Sequence, residues 1–173
     1  MRGYVDFVDV SSIGVPPSLT VVLGPAQARD SGAQWAFDGG VFRNSGDVVV
    51  SMQGTHTLTY KPLDGWTAPS SELITLTNNQ ATTVVRSYVQ NASLRVILEP
   101  AGARDSGARW TIDGGISYES EFVVDDLSPG AHSLRYSFIY GWNEPGDEVL
   151  SVTEGESIIL TRFYSIINGS VQV

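Results

Sequence analysis

The sequence contains no cysteine among its 173 residues. Disulfide frameworks, thiolate metal sites and cysteine nucleophiles are therefore excluded together. Basic residues are scarce as well: 10 Lys and Arg stand against 19 Asp and Glu, which gives a formal net charge of −9 with no basic cluster. Such a surface repels the phosphate backbone of nucleic acids, so nucleic acid is excluded as a partner.

Long apolar runs are also missing. No stretch approaches the about 20 apolar residues that a membrane-spanning helix needs, so we expect no membrane insertion. No segment keeps apolar residues at helical spacing between capping signals, which argues against long helices. The N-terminus has two aspartates by position 9 and lacks the apolar core of a signal peptide. A protein that never uses such a signal fits a virion, whereas a signal upstream of Met1 fits a bacterial surface.

What the sequence does have is the composition of a globular β protein. Hydrophobic residues make up 42% and charged residues 17%, which is a globular and not a disordered composition. Its 18 glycines and 8 prolines, together with many Thr, Ser and Val, indicate short strands joined by many turns.

An internal repeat dominates the sequence and sets its domain organisation. Three segments recur at an offset of 75, pairing 19–25 with 94–100, 29–35 with 104–110, and 38–40 with 113–115. Later landmarks recur at an offset of 76, pairing His56 with His132, Gly65-Trp66 with Gly141-Trp142, and Tyr88 with Tyr164. One residue has therefore been inserted between Gly115 and Gly130, and we expect it in a loop.

The repeat divides the chain into four parts. They are an N-terminal arm or extra strand at 1–17, repeat modules at 18–90 and 93–165, and a last segment at 166–173. In the last segment Asn168–Val173 lines up with Asn91–Val96, where the second module begins. It is either the start of a third repeat or a strand exchanged with another subunit, because a lone strand exposes an unpaired hydrogen-bonding edge.

Within each module apolar and polar residues alternate with a period of two, which predicts half-buried strands. Leu94, Val96 and Leu98 share one face of such a strand. Trp35 and Trp110 lie in register with aliphatic residues, so we expect both in the core. Further strands are predicted near 47–52, 71–77 and 82–89, and near 121–127, 147–153 and 157–164.

The predicted fold class is all-β, with two tandem small antiparallel β-sandwich modules of the Ig-like or prealbumin-like kind. Asp-Gly-Gly turns supply the residues that tolerate positive φ in tight hairpins. Only about four residues connect Tyr88 to the first strand of the second module, and so short a connection predicts modules stacked end to end.

The repeated pattern runs Ala-Arg-Asp-Ser-Gly-Ala-x-Trp-x-x-Asp-Gly-Gly, then Gly-x-His-x-Leu-x-Tyr, then Gly-Trp-x-x-Pro. It resembles PEGA-type repeats and other repeats of multi-repeat bacterial surface and secreted proteins. Residues 128–132, Ser-Pro-Gly-Ala-His, match the last PEGA element, whereas residues 53–56 lack its proline. The resemblance covers nearly all of residues 18–165. It implies an Ig-like or prealbumin-like sandwich used as a spacer or binding module, with no catalytic residues.

The residues that could carry chemistry have simpler explanations. The two histidines occupy equivalent places, as hydrogen-bonded residues at the ends of core strands. Ser31 and Asp38 would complete a triad with His56 only if their positions in turns were ignored. No Asp-x-Asp-x-Asp spacing suggests calcium. The aspartates considered for calcium are Asp30, Asp38, Asp105, Asp113, Asp125 and Asp126. We therefore expect no enzyme and no catalytic, cofactor-binding or metal-ligating residues.

Two groups of apolar residues are candidates for binding. Trp66 and Trp142 follow a glycine and precede a proline-bearing loop. They are core or rim residues or, alternatively, aromatics that face a ligand such as a sugar. The candidates for partner docking lie outside the modules and are Tyr4, Phe7, Val171 and Val173.

The sequence favours a non-enzymatic structural or adhesive repeat of an external assembly, either a bacterial surface stalk or fibre or a phage decoration or fibre protein. Its partners would be other protein subunits or neighbouring repeats, and its location extracellular, on the cell surface or in a virion. The alternative is a pair of carbohydrate-binding modules attached to a secreted enzyme, with glycans as the partner. Neither function requires a cofactor.

Overall fold

The structure, a computed structural model, describes residues 14–167. These residues are all-β, as predicted, apart from two helices of 5 residues each. They divide into two compact units: unit 1 runs to Leu63 and includes Ala68–Tyr88, while unit 2 includes Asp64–Thr67 and continues from Val89. No helix of the described residues has the length and apolar character that crossing a membrane requires.

The first sequence copy contributes eight strands and one helix. They are β1 (Ser18–Gly24), α1 (Ala26–Asp30), β2 (Trp35–Phe37), β3 (Val48–Val50), β4 (Gly54–Tyr60), β5 (Trp66–Thr67), β6 (Glu72–Leu76), β7 (Ala81–Ser87) and β8 (Val89–Gln90). Unit 1 is built from two sheets of three strands, in the orders β3-β1-β7 and β2-β4-β6. The short strands β5 and β8 pair with each other and belong to unit 2.

The second copy repeats this arrangement within unit 2. Its elements are β9 (Ala92–Glu99), α2 (Ala101–Asp105), β10 (Trp110–Ile112), β11 (Val123–Leu127), β12 (Gly130–Tyr136), β13 (Trp142–Asn143), β14 (Glu148–Val152), β15 (Ser157–Phe163) and β16 (Ser165–Ile166). The two sheets run in the orders β11-β9-β15 and β10-β12-β14, and β13 pairs with β16.

Among the strands that form the two three-stranded sheets of each unit, the first and the last pair in parallel, which an antiparallel sandwich does not include. β1 lies beside β7 from Ser18↔Ala81 to Gly24↔Ser87. β9 lies beside β15 in the same way, from Ser93↔Ser157 to Glu99↔Phe163. A period of two predicts a strand with one buried face, but it carries no information on the direction of the neighbouring strand.

The core of each unit lies between its two sheets and is centred on one tryptophan. Trp35 and Trp110 are fully buried, as their register predicts, and each indole N–H donates a hydrogen bond to a backbone carbonyl. The alternation of β9 buries Leu94, Val96 and Leu98. Every buried side-chain nitrogen and oxygen among residues 14–167 has a hydrogen-bond partner.

The extra residue of the second copy lies in a strand and not in the expected loop. β11 changes register between Val124 and Leu127, where the pair Asp125–Asp126 replaces the single residue Val50 of the first copy. This is a β-bulge, which adds one residue to a strand while the ladder continues on both sides.

Each unit also contains one turn of α-helix that the sequence analysis did not predict. The helices α1 and α2 bury Ala28 and Ala103, and the Asp-Ser-Gly motif forms the turn at the end of each. A helix of 5 residues is too short to show a period of 3.6 in the sequence, which is why it was missed.

Candidate functional site

The short segment Asp64–Thr67 comes from the first copy but is built into unit 2. Its strand β5 pairs with β8, and Thr67 Oγ1 donates to Asn91 Oδ1 at 2.6 Å. The Asn91 amide donates in turn to Asp126 of the bulge, and the Gly155 N–H donates to the Gln90 carbonyl at 3.1 Å. The bulge therefore provides the carboxylate that holds the segment leading into the second copy.

Trp66 and Trp142, which were predicted as core, rim or ligand-facing residues, are both half-buried. Trp142 packs against the core of unit 2, and its Cζ2 atom lies 3.3 Å from where a Cβ on Gly102 of α2 would stand. Trp66 lies in β5, paired with Gln90. A ligand-facing role for Trp66 or Trp142 stays a prediction.

The residues predicted to dock a partner lie outside the described part of the chain. They are Tyr4 and Phe7 in the N-terminal segment and Val171 and Val173 at the C-terminus. Ile166, the first residue of the predicted last segment, pairs with Trp142 in the ladder between β13 and β16.

A cluster of tyrosine, glutamate and arginine joins three strands in each unit, and the sequence analysis missed it. In unit 1, Tyr60 of β4 donates to Glu72 of β6, and Arg86 of β7 donates to both carboxylate oxygens. Because β4 and β6 form one sheet and β7 belongs to the other, the cluster links the two sheets. The equivalent cluster of unit 2 is Tyr136, Glu148 and Arg162.

The electrostatics of this cluster fix each proton in place. The Arg86 guanidinium, followed by the Tyr60 hydroxyl, holds the pKa of Glu72 below its usual range despite partial burial. Burial, followed by the hydrogen bond to Glu72, raises the pKa of Tyr60. The carboxylate is therefore an anion whose oxygens are occupied by donors, and the phenol stays neutral. Such a cluster clamps two sheets together but offers no free base or nucleophile.

The repeated histidines form the second polar cluster. His132 Nδ1 lies 2.6 Å from Asp113 Oδ2, and its Nε2 lies 2.7 Å from the Ser128 carbonyl. His56 makes the equivalent bonds to Asp38 at 2.7 Å and to the Met52 carbonyl at 3.0 Å. Both ring nitrogens face acceptors, an arrangement that favours the doubly protonated imidazolium because only this form donates from both nitrogens.

This geometry excludes the histidines as general bases. A base needs a free ring nitrogen within reach of a substrate, and both nitrogens of His56 are occupied by Asp38 and Met52. The second oxygen of Asp38 accepts from the Thr57 N–H, so the carboxylate ties its hairpin turn to β4. Within residues 14–167 no group of three His, Asp or Glu side chains converges as a metal site.

The histidine pairs predict that stability falls as the pH rises above neutrality. Burial opposes charging of His132, but its bonds to Asp113 and to the Ser128 carbonyl outweigh this and raise its pKa. The hydrogen bond to Asp38 raises the pKa of His56. The stabilisation is therefore complete below the unfolded pKa of about 6.5 and is lost as the pH rises through the folded pKa.

Denaturant unfolding at a series of pH values from about 6 to 9 tests this prediction, because histidine and the N-terminal amine are the groups that ordinarily titrate there in a chain without cysteine. We expect the free energy of unfolding to decrease across this range. In the double variant with His56→Gln and His132→Gln the dependence is expected to flatten. An unchanged slope in that variant would show that the imidazolium pairs do not cause it.

No protein-family model and no curated protein sequence matches the chain. Among solved structures, the minor pilin GBS52 of Streptococcus agalactiae aligns over 90% of this chain and 98% of its own, at 8% identity and a TM-score of 0.41. The C-terminal fragment of the pilus adhesin SpaC from Lactobacillus rhamnosus GG aligns over 92% and 100%, at 11% identity and a TM-score of 0.42.

The Bacillus anthracis TIE protein aligns over 87% of this chain at 12% identity and a TM-score of 0.35, and the chain spans only 33% of its length. Identities this low are shared by β-sandwich proteins of many functions. The function of this chain therefore has to be argued from its own residues.

Proposed function

We propose that this protein is a non-enzymatic structural module that carries tension in an external stalk or fibre. The observation that supports this most directly is the parallel pairing of β1 with β7 and of β9 with β15. In a chain pulled from both ends, force reaches the two three-stranded sheets of each unit through these strands.

Parallel terminal strands resist such a force better than a hairpin does. When β1 and β7 are pulled in opposite directions, they slide along each other, and all their hydrogen bonds are loaded together. In a hairpin the bonds would be loaded one after another from the open end. The ladder extends beyond the strands themselves, with Ser18 N–H donating to the Gln80 carbonyl at 3.1 Å and Tyr88 N–H to the Gly24 carbonyl at 2.8 Å.

The side-chain clusters support the same role. The Tyr60, Glu72 and Arg86 cluster connects β7 to the opposite sheet, so sliding of β7 also breaks charged hydrogen bonds. Tyr88, directly after β7, donates from its hydroxyl to the Lys61 carbonyl at 2.8 Å. Both arrangements recur in unit 2, where Tyr164 donates to the Ser137 carbonyl.

Pulling single chains from their two ends tests the proposal. We expect two separate unfolding events, each lengthening the chain by roughly 200–250 Å, because about 70 residues extend at about 3.3–3.6 Å each. The force of each event should exceed that needed to unzip a hairpin of similar length. Gradual extension without two distinct events would contradict the proposal.

The alternation of β7 provides a matched pair of variants. Because Gln80 and Tyr88 face β1, the N–H of Thr82 points to β1 and that of Thr83 points away. Thr82→Pro therefore removes a ladder bond and leaves an acceptor unpaired, at a cost of about 1–3 kcal/mol. Thr83→Pro places proline on the free edge, where it is tolerated.

We expect Thr82→Pro to lower the force of one of the two events, whereas Thr83→Pro and Thr82→Ala leave it nearly unchanged. The alanine variant separates the hydrogen bond from the loss of the side chain. Equal effects of Thr82→Pro and Thr83→Pro would show that the ladder between β1 and β7 does not resist the force.

The identity of the assembly is part of the same proposal. The motif resemblance to PEGA-type repeats supports a bacterial surface stalk, and partners would be other protein subunits. Immunogold labelling of intact cells with an antibody against the chain tests this location. Labelling of purified phage particles alone would place the module in a virion.

A further inference from the structure

The two copies serve as internal controls for each other, and they differ in polarity at the residues that lead into and out of a unit. In the loop after β12 and in the segment after β15, four apolar side chains are exposed: Phe138 70%, Tyr140 93%, Ile166 63% and Ile167 49%. Their equivalents in the first copy are Pro62, Asp64, Gln90 and Asn91. The first copy forms the same elements without these apolar residues, so the fold does not require them.

These four residues, two in the loop between β12 and β13 and two in the segment after β15, are named here the tail surface. The Ile167 N–H donates to the Gly141 carbonyl at 3.0 Å, which brings the end of the chain against the loop that carries Tyr140. Ile166 pairs with Trp142 directly after that loop. Side chains of this size present roughly 500 Å² of apolar surface, with about 200 Å² for a whole aromatic residue, and patches of that extent mark interaction sites.

A second apolar surface lies where β1 begins in unit 1, and it is named here the head surface. It consists of Val15, Val50 and Met52, which are exposed by 68%, 66% and 81%. Met52 borders a shallow hollow of about 280 Å³, which Gly14 and Pro16 also line. The equivalent positions of the second copy are polar, with Gln90 for Val15, Asp125–Asp126 for Val50 and Ser128 for Met52.

The junction between the two copies and the outer ends of the copies therefore differ in polarity. Inside the chain, the segment leading from one copy to the next is held by the side-chain hydrogen bonds that join Asn91 to Thr67 and to Asp126. At the outer ends of the two copies the residues equivalent to Asn91, which are Pro16 and Ile167, cannot form these bonds, although the backbone pairing of Val15 with Asn79 still repeats that of Gln90 with Gly155. The tail surface has replaced Gln90 and Asn91 by isoleucine, and the head surface has replaced the aspartate pair by Val50.

We infer that the tail surface of one chain binds the head surface of a second copy of this chain. Both surfaces lack formal charge, so two copies of a chain with net charge −9 meet there without repulsion. A head-to-tail contact joins two different surfaces and so continues into an open filament. This inference rests on the proposed function and names the partner in the fibre.

The size of the two surfaces predicts weak, reversible association. Together they bury roughly 1,000 Å², near the lower limit of specific interfaces. Sedimentation equilibrium of the full chain at concentrations up to about 1 mM covers the range in which a complex with such an interface becomes populated. We expect species larger than a dimer to grow with concentration, and electron microscopy to show short filaments.

Each variant introduces the residue that stands at the equivalent position of the other copy, so every new residue already occurs at that place in the fold. The tail variant carries Tyr140→Asp and Ile166→Gln, and the head variant carries Val15→Gln and Met52→Ser. Each alone is expected to lower the association constant about tenfold or more and to stay largely monomeric. A control variant, Val149→Gln, changes an equally exposed apolar residue outside both surfaces and should associate like the wild type. Thermal unfolding verifies that all variants are folded.

Mixing the two variants shows which surfaces of the two chains bind each other. The head variant keeps an intact tail surface and the tail variant an intact head surface, so their mixture should form a dimer that does not grow further. If the head variant dimerised alone, the contact would be tail to tail and the inference wrong. Association of the wild type equal to that of both variants would also overturn it.

The terminal segments outside the described residues are the other possible occupants. If the wild type is monomeric and a chain lacking residues 1–13 and 168–173 associates, the chain's own ends cover the surfaces and the inference fails. A monomeric wild type that still unfolds in two high-force events would overturn the inference alone, because the single-chain measurement does not depend on association.

Discussion

Replacing Trp110 with alanine is expected to destabilise unit 2 by about 3–5 kcal/mol, as removal of a fully buried tryptophan leaves a large cavity. The side chain is completely inaccessible to solvent and packs among the strands of both sheets. Its indole N–H also donates to the Glu119 carbonyl at 3.0 Å, and this acceptor loses its partner. Because small domains are stable by about 5–15 kcal/mol, this loss takes much of the stability of the unit.

Amide hydrogen exchange resolved along the chain measures the effect. In Trp110→Ala, exchange should accelerate throughout β9, β10 and β12, while the strands of unit 1 are affected far less. Trp35→Ala is the matched variant and should show the reverse pattern. Trp142→Ala removes a half-buried side chain and should cost less than half as much as Trp110→Ala. Equal effects of these two variants would contradict the assignment of Trp110 as the centre of the core.

These tryptophans also show how much of the fold the sequence predicts. The alternation around Trp110 and the repeat at an offset of 75 predicted the buried face correctly, because burial on one side of a strand imposes a period of two. The direction of the neighbouring strand imposes no such period on the sequence. The parallel pairing of β9 with β15 depends on contacts between residues more than 60 positions apart, which a single sequence does not display.

The polar clusters were missed for a related reason. Glu148 and Arg162 recur at an offset of 76 from Glu72 and Arg86, so the repeat contained the signal. A charged residue in a strand usually indicates the solvent face, and the alternation alone did not show that both side chains meet at the edge between two sheets. Conservation of such residues between the copies, rather than periodicity, was the usable signal.

The bulge illustrates the limit of locating an insertion by sequence. Counting offsets placed the extra residue between Gly115 and Gly130, which is correct, but a loop was the wrong environment. The insertion adds Asp126, which receives the Asn91 amide from the segment that leads into the second copy. The first copy has no such bond to make, since Pro16 stands in the place of Asn91.

Replacing Glu148 with alanine is expected to destabilise unit 2 by about 2–3 kcal/mol, because hydrogen bonds to a charged group are stronger than neutral ones. The change leaves the Tyr136 hydroxyl and the Arg162 guanidinium without their shared acceptor. Tyr136 is buried, so its unpaired hydroxyl adds a desolvation cost. Denaturant unfolding measures the loss, and Glu72→Ala should reproduce it in unit 1.

The pH dependence of this loss separates the charged cluster from packing. The Arg162 guanidinium, followed by the Tyr136 hydroxyl, holds the pKa of Glu148 below its ordinary value despite partial burial. The stabilisation is therefore present above the unfolded pKa of about 4.3 and disappears as the pH falls through the folded pKa. The difference between the wild type and Glu148→Ala should shrink accordingly in acid.

A double-mutant cycle with Tyr136→Phe completes the test, since phenylalanine keeps the ring and removes only the hydroxyl. If Tyr136 and Glu148 act as one cluster, the double variant should lose less stability than the sum of the losses in the two single variants, by about 0.5–3 kcal/mol. Strict additivity would mean that the two side chains contribute independently. In that case the link between the sheets would rest on the Arg162 pair alone, and the resistance of β15 to sliding would depend mainly on its ladder with β9.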